Sequence, residues 1–168
     1  MTNNELVNAL TQTLVSCVEN CDVRVIDELG STNSLLMSEP VGPVADAQAV
    51  LALHQTAGRG RQGRQWRSAP QAGLYASVAY TYDRMPDQIA ALTLALGVCV
   101  ARTLESLGLG AGMLKWPNDQ VWQDRKLGGI LVETTTASDG RFRVVAGVGI
   151  NRVLPAGFAL DATAGTWS

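Results

Sequence analysis

A chain of 168 residues, 46% hydrophobic and 17% charged, is one domain's worth of sequence, apolar enough to bury roughly two thirds of its unfolded surface in a single core. That composition excludes an intrinsically disordered chain, and a formal net charge of -2 weighs against nucleic-acid binding as the main role. No apolar run approaches the ~20 residues of a membrane span, and the start MTNNELVNALTQTL lacks the basic and apolar parts of a signal peptide, so a cytoplasmic protein is expected.

Asn4 to Val18 carries Leu6, Leu10, Leu14 and Val18 at four-residue spacing, the apolar stripe of a single helix and too little for a helix-turn-helix DNA reader. Cys17, Cys21 and Cys99 are odd in number and form no CxxC; with the lone His54 they complete no metal site and read as buried small hydrophobes in a reducing compartment. DVRVIDEL, Asp22 to Leu29, alternates apolar and polar residues as a half-buried strand does, and GSTNS then offers a turn and a helix N-cap at Ser31 or Thr32.

AQAVLALH, Ala47 to His54, is a nearly unbroken apolar strand, and GLYASVAYTY, Gly73 to Tyr82, is a second one. The glycine- and arginine-rich stretch GRGRQGRQW joins them as a long connection. From Asp87 to Leu107 apolar residues recur every three to four positions between Pro86 and Gly108, predicting a long core helix. MLKWPN, QVWQ, KLGGILVET and RFRVVAGVGINRV follow as four short strands split by ND, DR and SDG turns, the pattern of an antiparallel meander. The tail PAGFALDATAGTWS is turn-rich and without periodicity. The expected fold class is α+β, a mixed, mainly antiparallel sheet backed by helices, forming one domain over residues 1–168.

Gly58, Gly60 and Gly63 let backbone approach a ligand, while Arg59, Arg61 and Arg64 supply planar cationic forks suited to phosphate or carboxylate. The spacing matches neither GxxxxGK[ST] nor a GxGxxG opening a helix, which leaves an anion site, a solvated basic loop or an RNA contact. In KWPNDQVWQDRKLGGILVE, Pro117 sets the backbone before Asn118 and Asp119, and Lys126 follows the next turn. If these segments pair as a hairpin, Asp119 and Lys126 fall on neighbouring strands, able to serve a ribose or metal and a carboxylate or phosphate respectively; a plain Asn-Asp hairpin is the alternative.

Taken together and in this order, GRGRQGRQW, KWPND, DRKLGGILVE and GVGIN, with ELGSTNS upstream, resemble the catalytic domain of the biotin protein ligases, the biotin-[acetyl-CoA-carboxylase] ligase family, whose catalytic domain is class II synthetase-like. The resemblance runs from about Val23 to the C-terminus. It implies an enzyme that joins biotin and ATP into biotinyl-5'-AMP and passes the acyl group to a lysine of a biotin carboxyl carrier protein. Two anions meet in the first step, which the clustered guanidinium groups would offset.

Residue by residue, the resemblance places Ser31, Thr32, Asn33 and Gln55 at the biotin ureido ring. Gly58, Arg59, Gly60 and Arg61 would wrap the biotin carboxylate and then the acyl-phosphate, and Arg64 would meet the phosphates. Trp66 matches the position that stacks on adenine. Lys126 matches the lysine that contacts both carboxylate and α-phosphate, so Lys126, Arg61, Lys115 and Asp119 are the expected catalytic group. Lys115, Asn118 and Asp119 match the nucleotide segment, with Asp119 beside magnesium; Gly129 would present backbone to biotin and Asn151 would approach the ribose or phosphate. No side chain need be a covalent nucleophile.

The chain departs from the family in lacking the DNA-binding domain of the repressor-type members, so no DNA partner is expected. It also stops before the family's SH3-like barrel, so truncation at the C-terminus, weakened ATP use, or an exposed apolar face that aggregates or forms a homodimer is expected. A biotin-binding module without turnover is the alternative reading. The lipoyl and octanoyl transferases share the fold, but Cys99 falls in the long helix.

Overall fold

The computed structural model describes residues 2–17, 20–109, 113–122 and 125–152. Helix α1 (Asn3–Cys17) is followed by strand β1 (Asp22–Leu29), helix α2 (Thr32–Ser38) and strands β2 (Ala47–Gln55) and β3 (Gly73–Tyr82). A 3-10 turn (Ile89–Ala91) leads into helix α3 (Leu92–Ser106), and β4 (Met113–Lys115), β5 (Asp119–Trp122), β6 (Arg125–Thr136) and β7 (Phe142–Asn151) complete the order. The strands make one seven-stranded sheet in the order β1-β2-β3-β7-β6-β5-β4. β1 and β2 are parallel, and every other neighbouring pair is antiparallel. The expected mixed, mainly antiparallel sheet is what forms, and the meander is β4 to β7. The predicted end of the first helix at Val18, the Asp124 half of the DR turn and the PAGFALDATAGTWS tail lie outside the described residues.

Side chains alternate along a strand, so the register sorts the sheet into two faces. On one, Val50, Ser77, Gly147 and Leu131 stand in one row, and Tyr75, Gly149 and Gly129 in the next. Helix α2 lies across this face: Leu36, fully buried, packs with Val50, Ala79 and Val145, flanked by Ile26, Leu29, Leu35 and Met37. Burying one leucine side chain contributes about 1.5–3 kcal/mol, and its position against Val50, Ala79 and Val145 anchors the helix on β2, β3 and β7.

The far end of α2 is held by charge. Glu39, its C-cap, accepts two hydrogen bonds from Arg24 of β1 at 2.6 and 3.0 Å. Arg143 of β7, 1% exposed, donates to the Pro40 carbonyl at 2.8 Å and the Glu39 carbonyl at 3.3 Å. The Arg24 hydrogen bonds hold the Glu39 carboxyl below the usual carboxylate range, and raise Arg24 in turn. With both ends tied, α2 is a fixed element and its N-terminus a fixed point on the sheet.

Three expectations are corrected. The segment from Asp87 to Leu107 is not a core helix: of α3 only Gly97 is buried, while Leu94 is 45% and Leu107, just beyond it, 74% exposed. The register from Leu74 through Ile150 and Gly128 to Gln120 puts Gln120 on the face away from α2, and its Nε2 donates to the Gly97 carbonyl at 3.2 Å. Helix α3 therefore rests one side on the β4–β6 end of that face, and no described layer covers its other side. By length and composition alone Ile89–Ser106, 18 residues with mean hydropathy 1.5, would suffice to cross a membrane, contrary to expectation, a test that helices of soluble proteins also pass. The cysteines are not a buried set either, for Cys21 is half-buried and Cys99 exposed.

Between α3 and α1, which packs beside β1 through Asn3 and Asp27, this second face leaves Leu74, Val78 and Tyr80 between 38% and 49% exposed.

Candidate functional site

Ser31 caps α2: its backbone is extended (φ -160, ψ 133) and its Oγ accepts from the Ser34 N–H at 3.3 Å, satisfying one of the helix's orphan donors. The cap delivers the next side chains to the sheet. Gln55, last residue of β2, accepts at Oε1 from the Thr32 N–H at 2.8 Å and from the Thr32 hydroxyl at 3.2 Å. Ser77 of β3, 1% exposed, places its hydroxyl 2.7 Å from Thr32 Oγ1 and 2.6 Å from Asn33 Oδ1. The Asn33 amide donates to the Leu131 carbonyl at 3.2 Å and to Glu133 Oε2 at 3.0 Å. A Cβ on Gly147 would stand 2.1 Å from Asn33 Oδ1, so only glycine leaves room for this arrangement.

The glycine- and arginine-rich connection folds back on itself. Trp66 N–H donates to the Gly58 carbonyl at 2.9 Å, Arg59 bridges Gln65, and Gly60 N–H donates to the Arg64 carbonyl at 2.7 Å. The reversal is a 3-10 turn, Arg61–Gly63, with Gln62 at φ 58 and Gly63 at φ 73, the left-handed region that glycine enters without cost. Its arginines reach across the sheet: Arg61 Nη1 donates to Asn118 Oδ1 at 3.3 Å, and Arg59 Nη2 pairs with the Glu133 carboxylate. Arg64 is exposed.

Trp66 lies on a floor of glycine. A Cβ at Gly149 would be 2.7 Å from its ring and one at Gly129 3.4 Å, and these glycines are cross-strand partners on β7 and β6. Lys126 Nζ is 5.5 Å from the centroid of the same ring and 3.1 Å from Asp119 Oδ1. Asn118 is anchored by Nδ2 donating to the Ile130 carbonyl at 3.1 Å, behind the cis Trp116–Pro117 bond. Lys115 and Trp116 are exposed at the rim.

These groups line one cleft of about 470 Å³, a size suited to a small-molecule ligand. Ser31, Thr32, Asn33 and Gln55 close one end, and Arg59, Gly60, Arg61 and Arg64 one wall. Trp66 lies over Gly129 of the sheet, Lys126 and Asp119 stand beside it, and Lys115, Asn118 and Asn151 complete the lining. Gly58 is the one residue expected from sequence that stands outside the lining; it abuts the Trp66 carbonyl instead, where a Cβ would be at 2.5 Å. Asp119 and Glu133 are both paired with cations, so Arg61, Arg64 and Lys115 leave the cleft electropositive in a chain of net charge -2.

Sequence reading missed Ser77, Glu133, Gly147 and Gly149 as parts of the site. Ser77 was findable as a polar residue in phase with the buried Tyr75 and Ala79; the others sit in motifs whose partners depend on the sheet register. Trp66 Nε1 and Asn151 Oδ1 are buried without a hydrogen-bond partner among the described residues, a donor and an acceptor in the lining of the cleft. Buried polar groups are rarely left so unless something else binds them.

The family description biotin/lipoate A/B protein ligase matches residues 25–151. The bifunctional ligase/repressor BirA of Escherichia coli strain K12 is 37% identical over 150 residues, 89% of this chain and 46% of that protein. A biotin--[acetyl-CoA-carboxylase] ligase of Mycobacterium tuberculosis is 37% identical over 132 residues, 76% of this chain and 48% of that protein. The chain thus spans about half the length of these curated relatives. Among solved structures, the biotin protein ligase of Leishmania major in complex with biotinyl-5-AMP superposes with a TM-score of 0.67 at 29% identity, over 86% of this chain and 62% of that one. The biotin protein ligase of Aquifex aeolicus in complex with biotin and ATP superposes with a TM-score of 0.64 at 33% identity, over 80% and 55%. The fold is that of the biotin protein ligases, and the chain belongs to the biotin/lipoate A/B protein ligase family.

Proposed function

We propose that this chain condenses biotin with ATP to biotinyl-5'-AMP and passes the biotinyl group to one lysine of a biotin carboxyl carrier protein. The observation that carries the reading is the meeting, in one cleft, of an uncharged polar end at Ser31, Thr32 and Gln55 with an aromatic and cationic end at Trp66 and Lys126. A neutral ureido ring suits the first, and a carboxylate beside a nucleotide suits the second.

In step one a biotin carboxylate oxygen attacks the α-phosphorus of ATP, the bond to the bridging oxygen of the β-phosphate breaks, and pyrophosphate leaves. Lys126 and Arg61 offset the charge that builds between the two anions, and Arg59 and Gly60 hold the carboxylate in place. Arg64, Lys115 and Asn118 take the phosphates, Trp66 stacks on adenine, and Asn151, whose Oδ1 has no partner among the described residues, accepts from the ribose. Gly129 leaves room for biotin against the sheet. In step two the neutral carrier amine attacks the acyl carbon, AMP departs, and a proton passes to water.

Magnesium would arrive with ATP. The chain's own residues do not form a dedicated cage: among the described residues no three His, Cys, Asp or Glu side chains cluster, and Asp119 faces the Lys126 ammonium at 3.1 Å. We assign Asp119 to orienting Lys126, and no step runs through the metal.

Pyrophosphate release on mixing the protein with biotin and Mg-ATP tests the reading. Release that requires the free carboxylate, absent with the neutral biotin amide, supports it; biotin binding with no release above background reduces the chain to a binding module.

A further inference from the structure

Thr32, Asn33, Gln55 and Ser77, at the polar end of the cleft, are each at most 8% exposed, so their hydrogen-bonding groups need partners inside the protein. They belong to α2, β2 and β3, and none lies in the glycine- and arginine-rich connection. Groups with no choice of role set the sense of the bonds between them. A backbone carbonyl only accepts, so the Asn33 atom 3.2 Å from the Leu131 carbonyl is the amide nitrogen, and its second hydrogen goes to the Glu133 carboxylate at 3.0 Å. Asn33 thereby turns Oδ1 to Ser77 Oγ at 2.6 Å, and the single Ser77 hydroxyl proton is committed there. Toward Thr32 Oγ1, at 2.7 Å, Ser77 can then only accept. A backbone N–H only donates, so the Gln55 atom 2.8 Å from the Thr32 N–H is Oε1, a second acceptor for the Thr32 hydroxyl at 3.2 Å. Both acceptors draw the Thr32 proton into the wall, and Thr32 presents lone pairs alone to the cleft that it lines.

We propose that Asn33 and Ser77 are positioning residues that fix Thr32 as a hydrogen-bond acceptor, so that this end of the cleft selects a ring carrying an N–H over an isosteric ring carrying oxygen at the same place. The inference rests on the biotin reading above for the identity of the ring. Thr32 then accepts from one N–H of the cyclic urea. The Gln55 amide, whose oxygen is taken, and the Ser31 hydroxyl, whose oxygen accepts from the Ser34 N–H, have hydrogens to give to the urea carbonyl. Oxygen in place of that N–H sets lone pair against lone pair, and Thr32 cannot turn its proton outward without giving up its bond to Ser77.

The probes are biotin and its two cyclic carbamate analogues, in each of which oxygen replaces one ureido N–H. By calorimetry, the analogue lacking the N–H at Thr32 binds wild type about ten- to a hundredfold more weakly than biotin. In Ser77→Ala the Thr32 proton loses its nearer acceptor and can swing to the ring oxygen, so the ratio of biotin affinity to the affinity of that analogue falls about five- to tenfold. Ser77→Thr, which keeps the hydroxyl, keeps the ratio. A merely structural Ser77 would weaken biotin and analogue alike, so an unchanged ratio in Ser77→Ala overturns the proposal, as does a wild type that binds both analogues as tightly as biotin.

Neutron diffraction from deuterium-exchanged wild-type crystals reads the sense of the bonds with no ligand. The Ser77 deuteron lies toward Asn33 Oδ1 and the Thr32 deuteron toward Ser77 or Gln55; a Thr32 deuteron aimed into the cleft overturns the proposal. If wild type binds none of the three compounds, the biotin reading fails, and the neutron map still decides whether Thr32 is held as an acceptor. If Ser77→Ala does not fold, Thr32→Val, which removes the acceptor itself, lowers the same ratio, and the neutron map reports on Ser77.

Discussion

A β-bulge puts Lys126 on the same side of the sheet as Asp119. The ladder pairs Gln120 with Gly128 but Val121 with Lys126, stepping over Leu127, so Lys126 turns to the face that Gly129 shares with Asp119, and Nζ comes to 3.1 Å from Oδ1. Without the skipped residue the ammonium would point to the opposite face, toward α3. Bulges of this kind re-aim a side chain, and here the re-aimed ammonium stands 5.5 Å from the centroid of the Trp66 ring.

Lys126→Ala is predicted to lower kcat/KM for adenylate formation about 10²- to 10³-fold, the cost of losing one pre-placed charge stabiliser. Its melting curve should move by no more than a part-exposed ion pair is worth, about 1 kcal/mol or less. Steady-state pyrophosphate release and thermal denaturation on the same preparation separate the two effects, and a loss of activity matched by a loss of folding would contradict the assignment.

Gly149→Ala places a methyl group 2.7 Å from the Trp66 ring, too close for either to stay. The indole should tilt off its floor, and because that floor sets where an adenine would stack, KM for ATP is expected to rise about tenfold or more while biotin affinity changes little. Equal weakening of both substrates would mean that Trp66 serves the whole cleft rather than its nucleotide end.

Ser77→Ala leaves the acceptor of Asn33 buried with no donor, a loss of about 1–3 kcal/mol in stability. Because Ser77 also touches Thr32, the change should weaken biotin binding without altering KM for ATP. Chemical denaturation and calorimetry read the two quantities. Ser77→Thr, which keeps the hydroxyl, is the comparison that isolates the missing hydrogen bond.

Acid stability should report on Glu39. Its folded-state pKa is depressed by the hydrogen bonds from Arg24, so its contribution is complete above the unfolded value, near 4.3, and is lost as pH falls through the lower folded value. The melting temperature of wild type should therefore fall more steeply from pH 5 toward pH 3 than that of Glu39→Gln, and parallel curves would contradict the linkage.

The strands and the order of the fold were legible because their patterns are local. Asp22–Leu29 forms with the bounds that alternation gives, Gly73–Tyr82 with those of its run of aromatic and small residues, and Ser31 caps α2 as its residue type suggests. The residues of the cleft were legible too, but through motif resemblance rather than periodicity. What stayed hidden is non-local. Glu133 acquires meaning only when the register sets β6 beside Asn33 and below the loop, and Gly149 only when Trp66 arrives from a connection more than eighty residues earlier. Helix α3 misled for the opposite reason: apolar on nearly every side, it reads as core, whereas the sheet covers one side of it. The bulge at Lys126 leaves no mark in spacing, since a skipped residue changes which face a side chain takes without changing the hydrophobic pattern.

An acyl-adenylate formed in the cleft between Ser31 and Lys126 is itself observable. The most direct measurement is mass spectrometry of the protein incubated with biotin and Mg-ATP, followed by addition of a carrier domain. Biotinyl-5'-AMP should be found bound to wild type and nearly absent in Lys126→Ala, and one carrier lysine should gain a biotinyl mass. Wild-type protein that binds biotin and ATP yet yields no adenylate would contradict it.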